Sequence, residues 1–177
     1  YDVKCSNVIK DELIKLGIEP IETRTGNSYT KKISYENDYP FGGEYSGHLY
    51  FRDKFIGNDD GIYGGLRLVE ILSNKKTTIS EELKDISVYY SSPEVKLTVE
   101  DSKKANIIDR VEEYVKNKGY TYHTIDGVKV IYPDGFALIR KSNTGPNIIT
   151  RYESKDKEKL KQIEEEFTSL LNKLKEE

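Results

Sequence analysis

The chain has 177 residues, with Lys+Arg 28 against Asp+Glu 31, a net charge of −3 and a pI near 5.6. That length suits one large domain or two small ones, and a hydrophobic content of 36% with 14 Tyr is enough for packed cores. Mild acidity argues against a nucleic-acid binder, which needs a basic footprint, and no apolar run reaches the roughly 18 residues of a membrane span. The single cysteine, Cys5, leaves no internal disulfide and suits a cytoplasmic setting. No signal-peptide pattern opens the chain. There is no Met and residue 1 is Tyr, so the chain is expected to be the C-terminal part of a longer protein.

Tyr1–Cys5 is expected to lie in or beside a strand. Ser6 then caps a helix over residues 7–16 that offers Val8, Ile9, Leu13 and Leu16 for packing, and Gly17 ends it. Ile18–Glu22 reads as a short edge strand marked by Pro20. After a Thr25-Gly26-Asn27 turn, residues 28–36 read as a helix with Tyr29 and Ile33 on one face. Phe41 onward is extended, is broken by Gly42-Gly43, and resumes at Leu49–Phe51. Asp59-Asp60-Gly61 opens a helix whose Ile62, Leu66, Val69 and Leu72 recur at helical spacing. A short helix around Ser80–Lys84 follows.

The stretch Ser87–Pro93 breaks the pattern and divides the chain into domains over 1–87 and 88–177. Beyond it Val95, Leu97 and Val99 alternate as a strand. Asp101 or Ser102 caps a helix carrying Ala105, Ile108, Val111 and Val115, which Gly119 ends. A strand over 120–125, the hairpin turn Asp126-Gly127 and Val128–Ile131 come next. Pro133-Asp134-Gly135 turns the chain into strands Phe136–Arg140 and Ile148–Tyr152. In the last helix Leu160, Ile163, Phe167, Leu170, Leu171 and Leu174 form a one-sided stripe, which makes the charged residues of 155–177 its solvated face. The second half therefore reads β-α-β-β-β-β-α, a meander sheet with two helices on one face.

Three constellations could carry chemistry. In Gly42-Gly43-Glu44-Tyr45-Ser46-Gly47-His48, the side chains of Glu44, Ser46 and His48 would converge if the loop is extended, a pattern suited to sugar hydroxyls. A Gly-rich turn with a capping Glu explains the same residues. In Arg140-Lys141-Ser142-Asn143-Thr144-Gly145-Pro146, with Arg151 beyond, strand-end arginines, hydroxyls and an amide offer what a phosphate dianion needs. A hairpin turn between two surface arginines explains these equally. Asp2-Val3-Lys4-Cys5-Ser6 places Lys4 at a strand end before a helix cap, where ligands gather in α/β sheets, although an exposed lysine is the usual outcome. Cys5 reads as a small buried hydrophobe, and Asp59-Asp60 as capping residues rather than metal ligands. No Ser-His-Asp set, HExxH, CxxC or Walker-type loop occurs.

Together these segments resemble the C-terminal half of the α-D-phosphohexomutases, most closely the phosphomannomutase/phosphoglucomutase branch. The resemblance is carried by Asp2–Ser6, Gly43–His48, Asp60-Gly61-Ile62-Tyr63 with Leu66-Arg67-Leu68 and Glu70-Ile71-Leu72, Arg140–Pro146 and Arg151-Tyr152-Glu153, and runs through essentially the whole chain. It implies an incomplete third domain, part of a three-layer α/β/α mixed-sheet unit, followed by a two-layer α+β fourth domain of the TATA-box-binding-protein-like kind. It also implies sugar-binding roles for Lys4, Glu44, Ser46 and His48. Phosphate binding would fall to Arg140, Ser142, Asn143, Thr144 and Arg151. Family members interconvert hexose 1-phosphates and 6-phosphates through a phosphoserine and a bisphosphorylated intermediate. They use Mg²⁺ held by another domain, so this chain would supply binding only and be inactive alone. Its partners would be a hexose phosphate, hexose 1,6-bisphosphate and the N-terminal half of the same enzyme. Asn143 favours the hexose branch over phosphoglucosamine mutases. Tyr45, standing where relatives often have Met, would face away from the ligand. The competing expectations are a non-catalytic phosphosugar-binding module, a phosphoglucosamine mutase fragment and a pure interaction domain.

Overall fold

The computed structural model describes residues 1–176, and the chain divides into two compact units, Tyr1–Ser87 and the residues from Val88 onward. In the first unit, helix α1 (Asn7–Lys15) begins at the expected cap, where Ser6 Oγ accepts the Val8 N–H at 3.2 Å. Gly17, at φ 72°, carries the chain out of the helix. Residues 18–22 then correct the sequence reading, because they form no strand. Pro20 has no N–H to give a ladder, and pairing is confined to a single parallel bridge between Asp2 and Thr23. Tyr1–Cys5 is likewise a tight turn rather than a strand. It is tied by the fully buried Asp2, whose Oδ1 accepts from the Lys4 and Cys5 N–H groups, each at 3.1 Å, and from the Cys5 thiol at 3.3 Å. Burial and this carboxylate push the Cys5 thiol up to about 12.

Helix α2 (Asn27–Glu36) buries Thr30 and Ser34, not the Tyr29 face the spacing predicts. The reason lies in strand β1 (Phe41–Gly43), where a Cβ on Gly42 would meet Thr30 Cγ2 at 3.1 Å. Only small side chains fit between helix and strand, and Tyr29 turns out to lie under the Arg24 guanidinium at 4.4 Å. β1 pairs antiparallel with β2 (Leu49–Phe51). Helix α3 (Gly61–Lys75) is capped by Asp60, whose Oδ1 accepts the Tyr63 N–H at 2.9 Å. Its predicted packing stripe is at the surface: Ile62, Leu66 and Val69 are 80%, 62% and 59% exposed. The helix approaches β2 through buried Gly64 instead, where a Cβ would come within 3.1 Å of Leu49. Helix α4 (Ile79–Leu83) starts with a capping box between Thr78 and Glu81.

The second unit is a single antiparallel sheet with two helices on one face. Its elements are β3 (Tyr90–Ser91), β4 (Val95–Thr98), α5 (Lys104–Asn117), β5 (Tyr122–His123), β6 (Val128–Tyr132), β7 (Gly135–Lys141), β8 (Asn147–Ser154) and α6 (Lys157–Glu176). β5, β6, β7 and β8 follow one another across the sheet, while β3 and β4 share the outer edge of β8. Apart from β3, a short strand inside the stretch read as a break, this is the expected β-α-β-β-β-β-α order. Two details differ. A 3₁₀ turn at Asp101–Lys103 precedes α5, so the helix starts later with no side-chain cap, and Ile107 replaces Ala105 in the core. The strand expected over 120–125 shrinks to its two β5 residues.

Strand periodicity sorts the sheet into two faces. Val128, Val130, Ala137, Ile139, Ile148 and Tyr152 pack against Ile107, Val111 and Val115 of α5 and Ile163, Phe167 and Leu171 of α6. Phe167 is fully buried, its ring stacked 6.2 Å from Tyr152 and edge-on to Tyr114 at 6.4 Å. The hydroxyls of Tyr114 and Tyr120 both donate to Glu166 at 2.9 Å, closing the helix–sheet seam with a shared acceptor.

Phe167→Ala is therefore expected to cost about 3–5 kcal/mol in denaturant unfolding, whereas Ile62→Ala stays within about 0.5 kcal/mol. The reverse order would contradict the assignment of the cores. Cys5 gives a second expectation. Its folded-state value lies above the ordinary 9.0, so the stabilisation it contributes is complete below pH 9 and is lost as pH rises toward about 12. At pH 8 the folded chain is expected to resist iodoacetamide, and mass spectrometry should find Cys5 alkylated only after unfolding.

Candidate functional site

The loop joining β1 and β2 is a closed turn, not the extended segment that convergence of alternate side chains requires. The Glu44 N–H donates to His48 O and the Gly47 N–H to Glu44 O, each at 2.9 Å, with Gly47 at φ 88°. Glu44 turns inward and is only 8% exposed, while Ser46 and His48 stay at the surface. Glu44 Oε1 accepts from the hydroxyls of Thr30 at 3.1 Å and Tyr50 at 2.9 Å, and Oε2 accepts from the Ser46 hydroxyl at 3.4 Å. Burial and the Glu44 carboxylate raise the Tyr50 phenol well above its ordinary range, so it stays a donor. His48 Nδ1 lies 2.6 Å from Asp59 Oδ2, so Asp59 orients the imidazole while its neighbour Asp60 caps α3.

Lys4 is buried, and its ammonium sits 5.4 Å from the centre of the Tyr45 ring. Tyr45 therefore faces Lys4 rather than pointing away from the candidate residues. The junction is Asp2, whose Oδ1 also accepts the Tyr45 N–H at 3.3 Å. One carboxylate thus ties the Lys4 turn to the Glu44–His48 turn. The two turns together carry an ammonium, a hydroxyl and an imidazole, a mixed donor–acceptor set.

In the second unit, the β7–β8 register pairs Leu138 with Arg151 and Arg140 with Ile149. Arg140 and Arg151 are therefore diagonal neighbours on the sheet face turned away from the helices, with Lys129 paired to Leu138 in the same row. Arg140 is 2% exposed, and its Nε donates to Asp126 Oδ2 at 2.9 Å. Its Nη2 is buried and makes no hydrogen bond among the described residues. Arg151 Nη2 lies 3.8 Å from Glu153 Oε2, and the rim of cations closes on Phe136, with Lys129 Nζ 4.2 Å and the Arg151 guanidinium 5.7 Å from its ring centre.

The connection from β7 to β8 is a tight turn. Ser142 N–H donates to Asn147 O at 2.9 Å, and the buried Ser142 Oγ accepts the Thr144 N–H at 3.3 Å. Asn143 and Thr144 are exposed at its tip. Lys104, the first residue of α5, donates to Ser142 O at 3.1 Å and Gly145 O at 3.0 Å and pairs with Asp101 at 2.8 Å. A strand-end guanidinium followed in the chain by hydroxyls and a turn-tip amide is a donor set suited to an oxyanion.

The structure thus gathers Lys4, Glu44, Ser46 and His48 in one unit and Arg140, Ser142, Asn143, Thr144 and Arg151 in the other. Sequence reading missed Asp2, Asp126 and Lys104, which hold these groups in place. Asp2 lies inside the Asp2–Ser6 segment and Asp126 in an Asp-Gly turn signal. Lys104 carried no signal, since a lysine at a helix start is ordinary. Among the described residues no group of His, Cys, Asp and Glu is arranged to hold a metal ion. No described helix is long and apolar enough to cross a membrane.

Comparison with known proteins bears on both units. Residues 1–89 match the family model for phosphoglucomutase/phosphomannomutase alpha/beta/alpha domain III, and residues 94–170 match the model for the C-terminal domain of the same proteins. A phosphomannomutase/phosphoglucomutase of Pseudomonas syringae is 34% identical over 174 residues, covering 98% of this chain and 37% of its own length. A phosphoglucomutase of Neisseria meningitidis is 34% identical over 97% of this chain and 37% of its own length. The crystal structure of a phosphoglucomutase/phosphomannomutase family protein from Burkholderia thailandensis superposes with a TM-score of 0.87 at 37% identity, covering 99% of this chain and 37% of that one. The chain thus spans little more than a third of the length of these relatives. With both units matched in order, and the site-bearing turns inside the matched ranges, the chain belongs to the phosphoglucomutase/phosphomannomutase family.

Proposed function

We propose that this chain supplies the substrate-holding part of a phosphohexomutase that interconverts hexose 1-phosphate and hexose 6-phosphate of glucose or mannose. In this reading Lys4, Glu44, Ser46 and His48 meet the sugar hydroxyls, and Arg140, Ser142, Asn143, Thr144 and Arg151 hold the phosphate that is not reacting. The single observation that carries it is the placement of Arg140 and Arg151 as diagonal neighbours on one sheet face, with an Arg140 donor still unused and the Ser142–Thr144 turn at the end of the same strand. Transfer of a phosphoryl group needs positioning and neutralisation of charge more than covalent help from the protein. A chain that grips the distal phosphate and the ring hydroxyls serves that need for either orientation of a bisphosphorylated sugar. The phosphoserine and the Mg²⁺ site of this reading belong to the remaining length of the relatives. The partners are accordingly a hexose phosphate, hexose 1,6-bisphosphate and the polypeptide that completes the enzyme.

The division of labour within the chain is testable by titration calorimetry with glucose 1-phosphate. Arg140→Ala is expected to weaken binding about tenfold or more, since charge-assisted bonds to phosphate carry the affinity. Glu44→Ala is expected to change it less than about threefold, because the phosphate contacts and not the sugar-hydroxyl contacts are expected to dominate the affinity of this chain. Equal small losses would remove the phosphate assignment. In a coupled assay, the purified chain alone is expected to convert no glucose 1-phosphate to glucose 6-phosphate above the blank, and turnover not traceable to a contaminating mutase would overturn the division of labour.

A further inference from the structure

We infer that Asp126 is a positioning residue for phosphate binding: it fixes the plane of the Arg140 guanidinium so that the Nη2 donor is left for an oxyanion. The inference rests on the phosphate reading given above. Asp126 opens the turn between β5 and β6, away from the Ser142–Thr144 turn in sequence. Its carboxylate and the Arg140 side chain are 7% and 3% exposed, and the contact is made at Nε, at 2.9 Å.

Contact through Nε matters because the guanidinium is planar and rigid. Fixing Nε fixes the direction of both terminal nitrogens. Nη2 is buried and makes no hydrogen bond among the described residues. A buried donor left unmade is costly, so an arginine serving the fold alone would be expected to have its donors satisfied. A guanidinium anchored at Nε, with Nη2 unbonded among the described residues, keeps a donor for an acceptor.

The turn that carries Asp126 is itself pressed against Arg140. Gly127 has φ 79°, and a Cβ there would lie 2.3 Å from Ile139 O and 2.6 Å from Arg140 Cα. Only glycine allows the turn backbone to lie against the β7 backbone at this point. Asp126 therefore acts from a floor set by the ladders of β6 with β5 and β7, independent of the β7–β8 turn.

Two effects of Asp126 oppose each other. Its negative charge lowers the pull of Arg140 on an anion, while its anchoring orients the guanidinium. Asn keeps an acceptor for Nε and removes the charge; Ala removes both. Titration of the whole chain with inorganic phosphate and with glucose 1-phosphate separates them, with a thermal melt of each variant to confirm folding. Asp126→Ala is expected to weaken binding of both ligands about fivefold to tenfold, and Asp126→Asn to bind within about threefold of the parent. Adding Asp126→Ala to Arg140→Ala should cause no further loss, because the residue acts only through Arg140. If Asp126→Ala does not fold, Asp126→Asn carries the test through the Arg140 Nε–H signal, expected to remain slowly exchanging in the ¹H–¹⁵N spectrum and to shift on adding phosphate. Parent-like binding by Asp126→Ala, an equal loss in Asp126→Asn, or an Arg140 Nε–H that ignores phosphate would overturn the inference while a tenfold loss in Arg140→Ala kept the phosphate reading. Parent-like binding by Arg140→Ala would overturn both.

Discussion

The seven-pair ladder between β7 and β8 decides what the second unit can do. Because side chains alternate, it sends Ala137, Ile139, Ile148 and Tyr152 toward the helices and Phe136, Leu138, Arg140 and Arg151 to the opposite face. A slip of one residue would drive both arginines into the Phe167 core and expose the apolar set, so register and charge placement are specified together. Buried cations are tolerable only with partners. Asp126 stands against Arg140, Glu153 against Arg151, and the Phe136 ring beneath Lys129 and Arg151. Breaking one of these pairs leaves an uncompensated charge, which makes the face costly to alter yet well defined in geometry.

The first unit solves a similar problem with carboxylates used as junctions. Asp2 gathers N–H groups from its own turn and from Tyr45, and Glu44 gathers hydroxyls from α2, β2 and its own turn. Each joins segments that are distant in sequence, and each does so from a buried position where a hydrogen bond is stronger and an unmade one is more costly. The exposed side chains of Ser46 and His48 ride on that fixed base. Membership in the phosphoglucomutase/phosphomannomutase family gives this arrangement a context. The matched domain III and C-terminal domain are the ones whose turns carry these residues.

Much of this was legible in the sequence, and the failures have physical causes. Caps were readable because Ser6 and Asp60 each satisfy a nearby N–H, a purely local matter. The α6 stripe was readable because one helix face meets one sheet. The Ile62, Leu66 and Val69 stripe misled because periodicity reports that a face is apolar without reporting what meets it. Gly64, on another face, is what lets α3 approach β2. Ile18–Glu22 failed because β propensity does not supply a neighbouring strand, and Tyr29 because Gly42 left room only for Thr30 and Ser34. Among the candidate residues, Arg140, Ser142 and Arg151 stand out by residue type and spacing, although a hairpin turn explains them equally until the resemblance is added. Asp126 does not, since its pairing with Arg140 depends on how the β5–β6 turn folds back on β7, a tertiary event with no local mark beyond an Asp-Gly pair.

The most direct test of the account is a ¹H–¹⁵N titration of the chain with glucose 1-phosphate, following backbone amides and arginine Nε–H groups together. The account places the largest shifts at the Nε–H groups of Arg140 and Arg151 and at the amides of Ser142, Asn143 and Thr144, saturating along one binding curve. Shifts absent from these groups, or confined to the surface of α3 or α6, would contradict it.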